Sequence, residues 1–106
     1  MRMHLPLRLE LLAPNGYLHA GAVVTLADVA CGFGCLTILP EGAESFTTIE
    51  LKTNFTGTAT EGTLSCVAEL VHGGRTTQVW DARVVRDADE RLVAAFRCTQ
   101  LVVYPR

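Results

Sequence analysis

Residues 21–39 read Gly-Ala-Val-Val-Thr-Leu-Ala-Asp-Val-Ala-Cys-Gly-Phe-Gly-Cys-Leu-Thr-Ile-Leu. Apart from Thr25, Asp28 and Thr37, every residue in this stretch is apolar or Gly. Its length and its residue types predict a helix from about Ala20 to Leu39, closed by Pro40-Glu41-Gly42-Ala43, where a helix does not easily continue. A helix that is apolar all round is normally buried. An ionised carboxylate in such surroundings costs free energy unless it is paired, hydrogen-bonded or opened to a cleft. Asp28 is therefore a candidate for chemistry. His19 stands nine positions upstream, just before the helix.

Working outward, the period changes. Upstream, residues 3–12 alternate with Leu5, Leu7, Leu9 and Leu11 on one side, a strand signal with Pro6 near its start, and Ala13-Pro14-Asn15-Gly16 is turn chemistry. Downstream, everything reads as strand. Residues 46–55 put Ile49, Leu51 and Phe55 on one face and Thr48, Glu50, Lys52 and Asn54 on the other. Residues 63–72 carry Leu64, Cys66, Ala68 and Leu70 together. His72-Gly73-Gly74-Arg75 reads as a hairpin turn. Residues 76–86 align Trp80, Ala82 and Val84, and Asp87-Ala88-Asp89-Glu90 is the next turn. Residues 91–104 form a last strand, apolar on both faces near its end, which implies a central strand or one covered by a partner. The order is β-α-β-β-β-β, with the four later strands expected as an antiparallel meander. The class is α+β: an antiparallel sheet wrapped around one long central helix, in a single domain spanning residues 1–106.

Composition narrows the function classes. The 106 residues are 49% hydrophobic and 19% charged, an ordinary globular balance, with a net charge of −2 and no basic stripe for nucleic acid. The apolar run is broken by Asp28 and three glycines, so it is not read as a membrane span, and no signal-peptide core precedes it. A cytoplasmic location is the expectation. Cys31 and Cys35 lie one helical turn apart and could share a metal. They lack the short Cys-x2–4-Cys loop of structural zinc sites, however, and all four cysteines are expected to be reduced, buried and free of metal.

The segment Gly16-Tyr17-Leu18-His19-Ala20-Gly21, followed by Leu26-Ala27-Asp28 within this strand order, resembles the hotdog-fold acyl-CoA thioesterases. The branch it most resembles is the 4-hydroxybenzoyl-CoA and phenylacetate-degradation type. The family motif is Gly-x-x-His-Gly-Gly, then a helix bearing Asp or Glu nine residues after the His. Thr47–Phe55 resembles the family's second strand, and His72–Thr76 its third hairpin. Two departures stand out: Ala13 occupies the usual Asn or Gln position, with Asn15 two residues later, and Ala20 replaces the first Gly after the His. Many relatives also carry an extra N-terminal helix over the acyl site, so the acyl pocket is left open by the resemblance.

The resemblance implies hydrolysis of a small aryl- or acyl-CoA thioester. Helix N-termini offer unpaired N–H groups and a positive dipole end, and the backbone of Ala20 and Gly21, supported by His19, fits an oxyanion hole. Asp28 fits a general base, or a nucleophile forming a transient anhydride. By resemblance Thr48 orients the water or the acid. Asn15, Gly16 and Asn54 are expected to line the substrate groove, and Arg75 to meet a CoA phosphate. No cofactor beyond the substrate's own CoA is implied. Asp28 lies eight residues into the helix, about 12 Å from its start at ~1.5 Å per residue. A carbonyl held at that N-terminus is therefore out of reach of the same chain's Asp28. The expectation is a homo-oligomer, a dimer of dimers, with each site across a dimer interface. The alternative is a binding module of the same fold that holds acyl-CoA or an aromatic ligand without hydrolysing it.

Overall fold

The helical run stops where Pro40 forbids another turn. In the computed structural model, which describes residues 1–8, 11 and 18–106, helix α1 spans Ala20–Thr37. Ile38 closes it with its N–H on the Cys35 carbonyl, and Gly42 turns the chain at a φ of 86° that favours glycine. The strands are β1 (Arg2–Pro6), β2 (Ser45–Phe55), β3 (Thr63–Gly73), β4 (Thr77–Arg86) and β5 (Leu92–Val103). The β-α-β-β-β-β order is as expected. The first strand is shorter than the expected 3–12: it ends at Pro6 because its partner β3 begins at Thr63, leaving Leu7 and Arg8 beyond the ladder. Leu9, Glu10 and Leu12 lie outside the described residues.

All pairings are antiparallel, in the order β1-β3-β4-β5-β2. This corrects the expected four-strand meander. Only β3, β4 and β5 follow one another; β2 pairs with β5 instead of with β3. Residues 56–62 are long enough to carry the chain across the sheet, and β5, apolar on both faces, needs a neighbour on each side.

One face of α1 packs on the sheet through Val23, Leu26, Ala27, Ala30, Cys31, Gly34 and Cys35, all buried. They meet Leu64, Cys66 and Ala68 of β3, Trp80, Ala82 and Val84 of β4, and Phe96 and Cys98 of β5. Each large side chain buried this way contributes about 1.5–3 kcal/mol. Small residues bring the helix close: a Cβ on Gly34 would lie 2.6 Å from the Trp80 ring. Trp80 is core, as its alternation implies, and its indole N–H donates to Gln78 Oε1 at 2.8 Å. The other face of α1 is not covered by the described residues. Phe33 and Leu36 remain 52% and 51% exposed. A helix apolar all round is thus half-buried here, with Asp28 at the border.

β2 carries the departure that matters most for function. Its register on β5 shifts between Thr48 and Glu50, a β-bulge. Thr48 pairs with Gln100 and Leu51 with Cys98, both helix-facing positions of β5. An uninterrupted alternation would have put Thr48 with Lys52 and Asn54. The extra residue at the bulge turns Thr48 to the side of the helix instead.

Candidate active site

Two recesses open along α1 and share Val29. The first, about 470 Å³, lies at the helix N-terminus and is lined by Leu5, Leu11, His19, Gly21, Thr25 and Leu26 among others. His19 is the N-cap residue, in extended conformation, and its side chain makes no capping hydrogen bond. Its backbone carbonyl accepts from Ala22 N–H at 3.1 Å, and its own N–H donates to the Leu11 carbonyl at 3.0 Å. Ala20 and Gly21 are exposed, and nothing lies within 4 Å of where a Gly21 Cβ would be. Their N–H groups head the helix, where no intrahelical acceptor exists. A carbonyl oxygen gaining negative charge can approach them closely.

The second recess, about 230 Å³, is lined by Asp28, Val29, Gly32, Phe33, Leu36, Phe46 and Thr48. It holds two oxygen-bearing side chains among apolar ones. Thr48 Oγ1 donates to Gln100 Oε1 at 2.6 Å, across the ladder. The Cys31 and Cys98 thiols lie within reach of the Asp28 charge. The Cys31 thiol, hydrogen-bonded to Cys98 and buried, is held well above the ordinary thiol range, and burial pushes Cys66 up to about 11. All four cysteines are unpaired and buried. Among the described residues no group of three or more His, Cys, Asp or Glu is arranged to hold a metal.

The expected site residues therefore fall into separate groups. Asp28 and Thr48 come together. His19 and Gly21 share the neighbouring recess, and Ala20 lies at its rim. Arg75 is exposed on the β3–β4 hairpin, in a recess with Thr76 and Tyr104, whose hydroxyl donates to the Arg75 carbonyl. Asn54 lies on the outer sheet face, in a groove with Lys52, Asp81, Arg83 and Arg97. The bulge puts it on the opposite side of the sheet from Thr48. Asn15, Gly16 and Ala13 lie outside the described residues.

Two polar arrangements escape a reading by motif. One is Gln100, fully buried and joined to Thr48. Its signal is a polar residue in register with the apolar positions Phe96, Cys98 and Val102. The other is Ser65, buried between His4 and Asp87: His4 Nδ1 lies 2.7 Å from Ser65 Oγ, which donates to Asp87 Oδ1. Ser65 ties β1 and the β4–β5 turn to β3.

Comparison with known proteins gives the fold a family. The family model described as the thioesterase superfamily matches residues 15–93. A 1,4-dihydroxy-2-naphthoyl-CoA hydrolase of Listeria monocytogenes is 35% identical over 86 residues, covering 81% of this chain and 68% of that protein. Among solved structures, a thioesterase variant from Staphylococcus aureus superposes with a TM-score of 0.90 at 29% identity, covering 96% of this chain and 84% of that one. The BH2602 protein of Bacillus halodurans, solved with CoA, gives 0.90 at 28% identity over 99% of this chain and 68% of the other. With its five-stranded antiparallel sheet packed on one long helix and this match across most of its length, the chain belongs to the thioesterase superfamily and is a hotdog-fold thioester hydrolase.

Proposed function

We propose that the chain hydrolyses a small aryl- or acyl-CoA thioester to CoA and the free acid, with Asp28 as the catalytic carboxylate. The observation that carries this is the recess shared by Asp28 and Thr48, set in apolar surroundings. The likeness to the CoA-thioester hydrolase of Listeria and the CoA in the Bacillus structure support a CoA thioester as the substrate. Asp28 takes a proton from water as the water attacks the carbonyl. The Ala20 and Gly21 N–H groups receive the developing oxyanion, and CoA leaves as the thiol. Arg75 meets a CoA phosphate. Carboxylate and backbone amides suffice for this chemistry, so no further cofactor is assigned.

In this reading the working form is a homo-oligomer, a dimer of dimers, located in the cytoplasm. The N-terminus of one helix works with Asp28 of another, since about 12 Å of helix separates them within a chain. Two features support a covering partner. Phe33 and Leu36 flank Asp28 on the open helix face. β2 is an 11-residue edge strand with Ile49, Leu51 and Phe55 exposed. A long apolar edge left bare is an aggregation liability, which a second copy removes.

The test is thiol release from a panel of aryl- and alkyl-CoA thioesters by wild type and Asp28→Asn. Release that collapses in a folded, oligomeric variant is the expected result. Full turnover by Asp28→Asn would sink the assignment, and CoA binding with no release from any thioester would favour the binding module. A single turnover in H2¹⁸O separates the two roles of Asp28. A general base puts the label straight into the product acid, whereas a nucleophile keeps it on the enzyme in the first turnover.

A further inference from the structure

Beneath the helix-facing side of the sheet runs a buried polar row. Thr48 of β2, Gln100 of β5 and Gln78 of β4 stand opposite one another in register. Gln78 is fully occupied: its Nε2 donates to the Ile38 carbonyl at the end of α1, at 3.3 Å, and its Oε1 accepts from Trp80. Gln100 is 0% exposed and only half occupied. Its Oε1 accepts from Thr48, while its Nε2 is buried with no hydrogen-bond partner among the described residues. An amide buried at this cost among Phe96, Cys98 and Val102 contributes nothing to the core that an apolar side chain would not do better. Its one productive contact is with a residue lining the Asp28 recess.

We infer that Gln100 is a positioning residue that commits the Thr48 proton and so turns the Thr48 hydroxyl into an acceptor toward Asp28's recess. This rests on the acyl-CoA hydrolase reading given above. A hydroxyl has one proton and two lone pairs. With the proton held by Gln100 Oε1 at 2.6 Å, Thr48 cannot donate to the Asp28 carboxylate and blunt its basicity. It can only accept. Asp28 and Thr48 then present two acceptors to one cavity, a match for the two protons of a water molecule. A water held by both protons has its lone pairs directed away from them, toward an incoming carbonyl. The bulge at Thr48 is what makes this geometry available, since it brings the residue to the same side of the sheet as Gln100 and α1.

The experiment is a kinetic cycle on the full-length oligomer, using the best thioester of the panel. Gln100→Met keeps the volume and removes the acceptor. It is expected to lower kcat about tenfold with KM unchanged, and to move the acid limb of the kcat profile as Thr48 becomes free to donate to Asp28. Thr48→Val lowers kcat by a similar factor, and Thr48→Ser restores most of it. The double variant Thr48→Val/Gln100→Met is no slower than Thr48→Val alone, because Gln100 acts only through Thr48. If Gln100→Met does not fold, Gln100→Thr, polar but too short to reach, takes its place in the same cycle. Unchanged kcat and pH profile in a folded Gln100 variant, or losses that multiply in the double variant, would overturn the inference. Neither result touches the hydrolase reading, which falls only if wild type releases no thiol or Asp28→Asn retains turnover.

Discussion

The two faces of α1 are built from similar residues and do opposite work. The sheet-facing side is buried, and beyond Val23 and Leu26 it narrows to Ala27, Ala30, Cys31, Gly34 and Cys35, so the helix lies close to the β4 and β5 side chains. The other side carries Asp28, Phe33 and Leu36 and stays open among the described residues. Apolar content alone does not distinguish them; past Leu26, side-chain size does. Small residues permit close packing within the chain. The large ones on the open side surround Asp28.

The sharpest test of that contrast is on the open face. Asp28→Asn, nearly isosteric, should cut kcat by about 10³-fold in thiol-release assays while leaving the unfolding midpoint within a few degrees. On the same face, Phe33→Glu should weaken self-association at least tenfold by analytical ultracentrifugation, since an anchor of an interface becomes a charge. A variant that stays fully assembled would mean that this face is solvent-facing after all. On the closed face, Gly34→Ala should destabilise the fold by about 1–2 kcal/mol in urea melts. The clash with Trp80 outweighs the helix propensity Ala brings.

Smaller effects come from titration. Burial pushes the Cys66 thiol up to about 11 in the fold, from the ordinary 9.0 it has once exposed. Its folded pKa is raised, so its contribution to stability is complete below pH 9 and is lost as pH climbs through 11. By pH 10 the loss should be on the order of 1 kcal/mol in denaturant melts, and Cys66→Ala should flatten that slope. The smallest effect is expected on the outer sheet face. The Arg97 guanidinium holds the Asp81 carboxyl below its usual range, yet both side chains are largely solvated. Asp81→Asn should leave the melting midpoint nearly unchanged above pH 5.

The helix, the strands and the candidate carboxylate were legible because each rests on local information: an apolar run ended by Pro40, period-two alternation, and a charge at Asp28 where charge is costly. Thr48 was found by resemblance but assigned to the wrong face, because a bulge leaves no trace in an alternation pattern. Gln100 could not be singled out from a motif. Its importance comes from a neighbour 52 residues away in the chain.

By itself, then, the order of residues determined the element types and the place of Asp28 in an apolar helix, since these follow from spacing and from the cost of burying polar groups. Only the tertiary structure decided that β2 crosses to β5, that the bulge turns Thr48 inward and that Gln100 takes its proton. Each of those depends on which strand lies beside which, and strand pairing joins residues far apart in sequence through backbone bonds that any side chain permits.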